Sequence, residues 1–192
     1  MDSFLVSTAV VAVAEIGDKT QLLAMMLAAR FRKPIPIILG ILFATLANHA
    51  LAAWAGGLAA AWMGPDIARW VLGLSFIAMA AWMMVPDAAP DDGAGRTGAA
   101  GAFLATLVSF FLVEIGDKTQ VATIALAARY ESVFVVTLGT TLGMMIANVP
   151  AVLMGEVAAR KIPMRLAHGL AAAIFAALGL AALLGFGDTL LD

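Results

Sequence analysis

Six stretches of about 20 or more mainly apolar residues follow one another along the chain, and no soluble domain of this size can hide that much apolar surface. They run Phe4–Ala29, Ile35–Met63, Ile67–Val85, Gly101–Ala128, Val133–Gly155 and Met164–Phe186. Hydrophobic residues make up 63% of the 192 and charged ones 12%, with a mean hydropathy of +1.00, so the bilayer itself must serve as solvent. The second and fourth stretches are long enough to tilt or overhang the hydrocarbon core. Helix-stopping or charged residues fill every gap, for example Arg30-Phe31-Arg32-Lys33-Pro34 and Arg160-Lys161-Ile162-Pro163. An apolar run at Phe4 to Val13 with Ala12-Val13-Ala14 behind it imitates a cleavable signal. It lacks the preceding Lys or Arg, and the pattern recurs in mid-chain at Phe103 to Val113, so it reads as a span.

The chain is a duplication. Glu15 to Gln21 (EIGDKTQ) returns unchanged as Glu114 to Gln120, 99 positions later, and Leu27-Ala28-Ala29-Arg30 returns as Leu126-Ala127-Ala128-Arg129 at the same offset. Gly40 and Gly56 meet Gly139 and Gly155 at that offset, while Asn48 and Asn148 differ from it by one. Residues 1–85 therefore form one three-helix repeat and 101–192 a second. Residues 86–100, rich in Pro, Gly and Asp, form a flexible linker. The expected fold class is an all-α integral membrane protein of six transmembrane helices. Three spans per repeat force the copies to enter from opposite sides, as two inverted-topology repeats. Arg30, Arg32, Lys33, Arg96, Arg160, Lys161 and Arg165 gather on one side against Arg69 and Arg129 on the other. That bias places both termini away from the cytoplasm.

Each repeat carries charge at membrane depth. A charged side chain at mid-bilayer costs about 2.5–3.5 kcal/mol on insertion scales, and Glu15, Asp18, Lys19, Glu114, Asp117 and Lys118 are six of them. On an unbroken helix Glu15 and Asp18 share a face, Gln21 lies on its edge, and Lys19 reaches back to Glu15. Gly17 and Gly116 either admit a close neighbouring helix or let the span break. Facing inverted copies bring four carboxylates together near the midplane, with Gln21, Gln120, Thr20 and Thr119 as neutral oxygen donors. An oxygen-only set suits a hard cation such as Ca²⁺, Mn²⁺ or Mg²⁺. Lys19 and Lys118 are expected to pair with Glu15 and Glu114, or to snorkel. Asn48 and Asn148 supply either further oxygens or interhelical hydrogen bonds. His49 has no counterpart in the second repeat and is read as packing or as a proton carrier. The eleven methionines read as gap fillers and Trp54, Trp62, Trp70 and Trp82 as an interfacial belt.

Two copies of Glu-x-Gly-Asp-Lys-Thr, in the first and fourth of six spans, resemble the Gdt-type cation transporter family of Golgi, chloroplast and bacterial manganese and calcium transporters. The resemblance spans essentially the whole chain. It implies secondary active export of Mn²⁺ and/or Ca²⁺ from the cytoplasm, in exchange for protons, with the family's acidic positions falling on Glu15, Asp18, Glu114 and Asp117. The short linker and the absence of a targeting extension fit a multi-pass protein of a bacterial inner membrane. On this reading the protein is not an enzyme and needs no cofactor. Its partners are the divalent cation, protons and membrane lipid, with no nucleic acid; a net charge of -2 offers no basic surface for one, and no feature sets an oligomeric state. The rival readings are a passive divalent-cation channel, an intramembrane carboxylate-dependent hydrolase and a structural subunit. The hydrolase lacks a Ser–His pair, an HExxH motif or an arginine cluster at membrane depth.

Overall fold

The computed structural model describes residues 2–63, 65–84, 98–130, 132–154 and 164–184. Residues 86–97 of the expected linker and the loop holding Arg160 and Lys161 fall outside them, while Ala99 and Ala100, expected in the linker, are already helical. Among the described residues every regular element is a helix: α1 (Asp2–Glu15), α2 (Lys19–Phe31), α3 (Pro34–Trp62), α4 (Pro65–Met83), α5 (Ala99–Glu114), α6 (Lys118–Tyr130), α7 (Val133–Met154) and α8 (Met164–Leu183).

Among the described residues two helices are long and apolar enough to cross a membrane, over Pro34–Ala59 and Val133–Met154. A third span results if Ala99–Glu114 and Lys118–Tyr130 count as one despite the 70° bend between them. Large apolar side chains such as Phe43, Trp54, Leu74, Leu104 and Leu138 lie on the outside, as hydrocarbon solvation requires. Trp62 and Trp70 are exposed too, in keeping with a belt.

Of the two roles expected for Gly17 and Gly116, close helix approach or a break in the span, the structure shows the break. The first and fourth expected spans both break inside the duplicated motif, between Glu15 and Lys19 and again between Glu114 and Lys118. The cause is local. Gly17 and Gly116 take φ values of 85° and 75°, a left-handed turn that ends the preceding helix at little cost only for glycine. Each following Asp restarts the chain, Asp18 in an extended conformation as the N-cap of α2.

Packing exchanges helices between the repeats. α7 lies along α1, and α3 along α5. The glycines that permit this correspond: a side chain on Gly40 would meet the Phe103 carbonyl at 2.9 Å, and one on Gly139 the Phe4 carbonyl at 2.8 Å. Gly143 in turn lies against Thr8 and Ala12, so α1 and α7 run the same way. Gly56 approaches Ile124 and Gly57 approaches Val133, so α3 ends where α7 begins. In consequence α1 and α6 occupy the half of the molecule at that end, and α2 and α5 the half at the end bearing Arg30, Arg32 and Lys33. α4 and α8 pack on each other, with the Phe76 and Phe175 ring centroids 6.0 Å apart.

Candidate metal centre

The two breaks meet in the middle of the molecule. Glu15 ends α1, Glu114 ends α5, and Asp18 and Asp117 begin the helices that follow. All four are buried, at no more than 1% exposure. This places the partly negative C-terminal ends of α1 and α5 beside the glutamates, and the partly positive N-termini of α2 and α6 beside the aspartates. The first arrangement favours a cation; the second holds the carboxylates that face it.

The breaks are built alike. Thr20 donates its hydroxyl to Glu15 Oε2 at 2.6 Å, and Thr119 donates to Glu114 Oε2 at 3.0 Å. The Gly17 N–H donates to Gln21 Oε1 at 3.0 Å and the Gly116 N–H to Gln120 Oε1 at 2.7 Å. Threonine thus orients each glutamate, and glutamine replaces the backbone bond that the break removes. In this arrangement the oxygens of Thr20, Thr119, Gln21 and Gln120 are engaged in securing the two turns. Gln21 also donates to the Ala147 carbonyl at 3.1 Å, tying α2 to α7.

The lysines differ from expectation. Lys19 pairs with Asp117, and Lys118 lies 3.9 Å from Asp18, so each ammonium bridges to the other repeat's aspartate. The cause is the break itself: i to i+4 reach exists only along a continuous helix, and the turn at Gly17 carries Lys19 away from Glu15.

Glu15, Glu114 and Asp117 bring one carboxylate oxygen each within 4.8 Å of one another, a spacing that one cation can bridge. Asp18 is not in that group. Glu15 Oε1 and Glu114 Oε1 have no hydrogen-bond partner among the described residues, although both are buried. A buried carboxylate oxygen left this way is costly unless a cation or proton completes it. Two amide oxygens share the condition, Asn48 Oδ1 and Asn148 Oδ1. Asn48 donates its NH₂ to the Phe111 carbonyl at 3.0 Å, one turn before Glu114. Asn148 donates to Met144 and also approaches Glu15. His49 is wholly buried, with neither ring nitrogen hydrogen-bonded among the described residues.

This geometry can be set beside known proteins. Residues 3–91 and 102–188 match the family described as "Divalent cation/proton antiporter GDT1". A relative from Vibrio cholerae serotype O1 (strain ATCC 39541 / Classical Ogawa 395 / O395), named "Putative manganese exporter", is 50% identical over 182 residues, covering 94% of this chain and 90% of that protein. No solved structure matches the chain. With both motif-bearing halves matched by the family, and a relative this similar along nearly the whole length, the chain belongs to the divalent cation/proton antiporter GDT1 family.

Proposed function

We propose that this protein exports a divalent cation, Mn²⁺ in the first place, from the cytoplasm in exchange for protons, by alternating access across a bacterial inner membrane. The single observation that carries the reading is the convergence of Glu15, Glu114 and Asp117, from both copies of the motif, within 4.8 Å of one another. Membrane-buried carboxylates are expensive, and ones held apart from solvent with unfilled oxygens are the arrangement a transported cation completes. The Vibrio relative's name points to manganese; an all-oxygen set also accepts Ca²⁺. Asn48 and Asn148 are the auxiliary oxygens of this reading, and Gln21, Gln120, Thr20 and Thr119 the groups that hold the carboxylates in place.

Six spans in two inverted repeats, residues 1–85 and 101–192, are the architecture this reading requires. α1 with α2, and α5 with α6, then count as broken spans of the kind that transporters place around ion sites. Freed backbone groups are tolerated at such depth only where protein or a polar cavity satisfies them, and the Gln21 and Gln120 side chains do so here. Both termini then lie away from the cytoplasm, by the Lys/Arg bias.

Charge counting suggests the exchange ratio. Four carboxylates and two ammonium groups leave a net charge of -2, as two cross-repeat ion pairs plus Glu15 and Glu114. One divalent cation or two protons balance it, so each stroke carries the same charge. Inside-out vesicles test the reading. Wild-type protein should alkalinise the lumen as Mn²⁺ enters it, and Glu15→Gln and Asp117→Asn should abolish both fluxes while the protein remains folded. Full transport by both variants would remove the site.

A further inference from the structure

The packing around the site departs from the symmetry of the duplication. Two apolar clusters correspond position by position: Ala53, Ala122, Leu126 and Val136 in one, and Val152, Leu23, Leu27 and Ile37 in the other, each pair 99 residues apart. The first cluster also contains Leu72, Phe76 and Met79 of α4 and Phe175 of α8. The second contains no residue from either helix. α4 packs on α6 and α8 on α1, yet α2 and α5 make no comparable contact with them.

Where the covering helices are missing, the surface is open. Ala127 and Ala128 are buried within the first cluster, whereas their equivalents Ala28 and Ala29, on α2, line a cavity of about 280 Å³ that opens between the ends of α2 and α7. Val13 packs against the first cluster, but its equivalent Leu112 is 62% exposed. Meanwhile α4 and α8 are closely joined to each other. A side chain on Gly179 would come within 2.9 Å of the Gly73 carbonyl, so the two backbones are nearly in contact. Phe76 and Phe175, themselves 99 apart, pack together at that crossing.

We infer that α4 and α8 move as one body between two matching seats: the α1–α6 seat they occupy here and the α2–α5 seat now open, so that they cover the two ends of the carboxylate site in turn. The inference rests on the transport reading and names the moving part it needs. Both seats exist in the sequence because both repeats encode them, with apolar side chains at corresponding positions, so exchanging one for the other conserves buried area. Tightly packed interfaces of this sort have discrete alternatives and do not deform continuously. With α4 and α8 over α1 and α6, the covered end is the one bearing Arg129. The open end is that of Arg30, Arg32 and Lys33, read as cytoplasmic.

The chain has no cysteine, so one introduced thiol is unique. Ala29→Cys and Ala128→Cys, at equivalent positions in the open and the covered seat, are each reconstituted and exposed to a membrane-impermeant maleimide, with Mn²⁺ transport measured on the same vesicles. At rest Ala29→Cys should label and Ala128→Cys should not. During turnover on Mn²⁺ and a pH gradient, labelling of Ala128→Cys should rise about tenfold or more as a minor state becomes populated. Labelling of Ala29→Cys should fall about twofold as the other state empties. Transport with Ala128→Cys still unlabelled would overturn the moving pair while leaving the transport reading intact. So would failure of Ala29→Cys to label at rest, which would make the open seat a lipid-covered face. Absence of any Mn²⁺ flux in the cysteine-free protein would overturn the transport reading and the moving pair with it.

Discussion

Glu114→Gln should stabilise the metal-free protein and remove its response to metal. Oxygens of Glu15, Glu114 and Asp117 lie within 4.8 Å of one another. Two unit charges at that separation repel by about 3.5 kcal/mol at an effective dielectric constant near 20. Replacing Glu114 removes two of the three repelling pairs, up to about 7 kcal/mol on that scale. The Lys19 ammonium and bound protons already relieve part of the repulsion, which leaves a gain on the order of 1–2 kcal/mol. Glutamine keeps the oxygen that accepts from Thr119, so the turn survives. At about 2–4 °C per kcal/mol for a chain of this size, the apo variant should melt about 2–8 °C above wild type. Wild type in Mn²⁺ at 100 times its Kd gains about 2.7 kcal/mol, or roughly 5–10 °C; the variant should gain nothing. The assay is thermal unfolding in detergent with and without Mn²⁺. A variant that melts below wild type and still shifts with Mn²⁺ would show that Glu114 is a structural group, and the reasoning from crowded charge would be refuted.

Further outcomes follow from the same geometry. Thr20→Val and Thr119→Val each delete the hydroxyl that orients a glutamate, and each should weaken Mn²⁺ binding by about 10–100-fold, to similar extents, in titration calorimetry. Exchange of one divalent cation for two protons moves no net charge, so clamping the membrane potential at zero with valinomycin and potassium should leave the initial Mn²⁺ flux unchanged; a potential-dependent rate would contradict the charge count. Gly40→Ala and Gly139→Ala drive a methyl group into the backbone of α5 and of α1 respectively. Each should lower stability by about 1–3 kcal/mol, read from the denaturation midpoint.

The candidate site was legible because its residues are of a kind that apolar surroundings exclude. Seven identical residues, EIGDKTQ, stand twice in sequence otherwise rich in Ala and Leu, and no packing need explains that. The break was half legible. Hydropathy windows average across Gly17 and Gly116, so a continuous span emerges, although glycine followed by aspartate and then a glutamine three residues on is the composition of a helix that stops and restarts. The lysine partners were not legible, since they depend on how α2 and α6 turn after the break and on which repeat each then faces. The exchange of α3 and α7 between repeats was hidden for the same reason: Gly40 and Gly139 mark close contacts without saying with what. For Asn48 and Asn148 the sequence left two roles open, oxygens for the cation or interhelical hydrogen bonds. The structure separates their two ends, the NH₂ committed to Phe111 and Met144 and the oxygen left over.

The most direct test counts ions. Equilibrium binding of Mn²⁺ to purified protein, followed by electron paramagnetic resonance, should give one ion per chain in an all-oxygen environment, and Glu15→Gln and Glu114→Gln should each abolish it completely. Two ions per chain, or a variant that loses half the binding and keeps the rest, would mean that each motif holds its own ion and that the two repeats do not share a site.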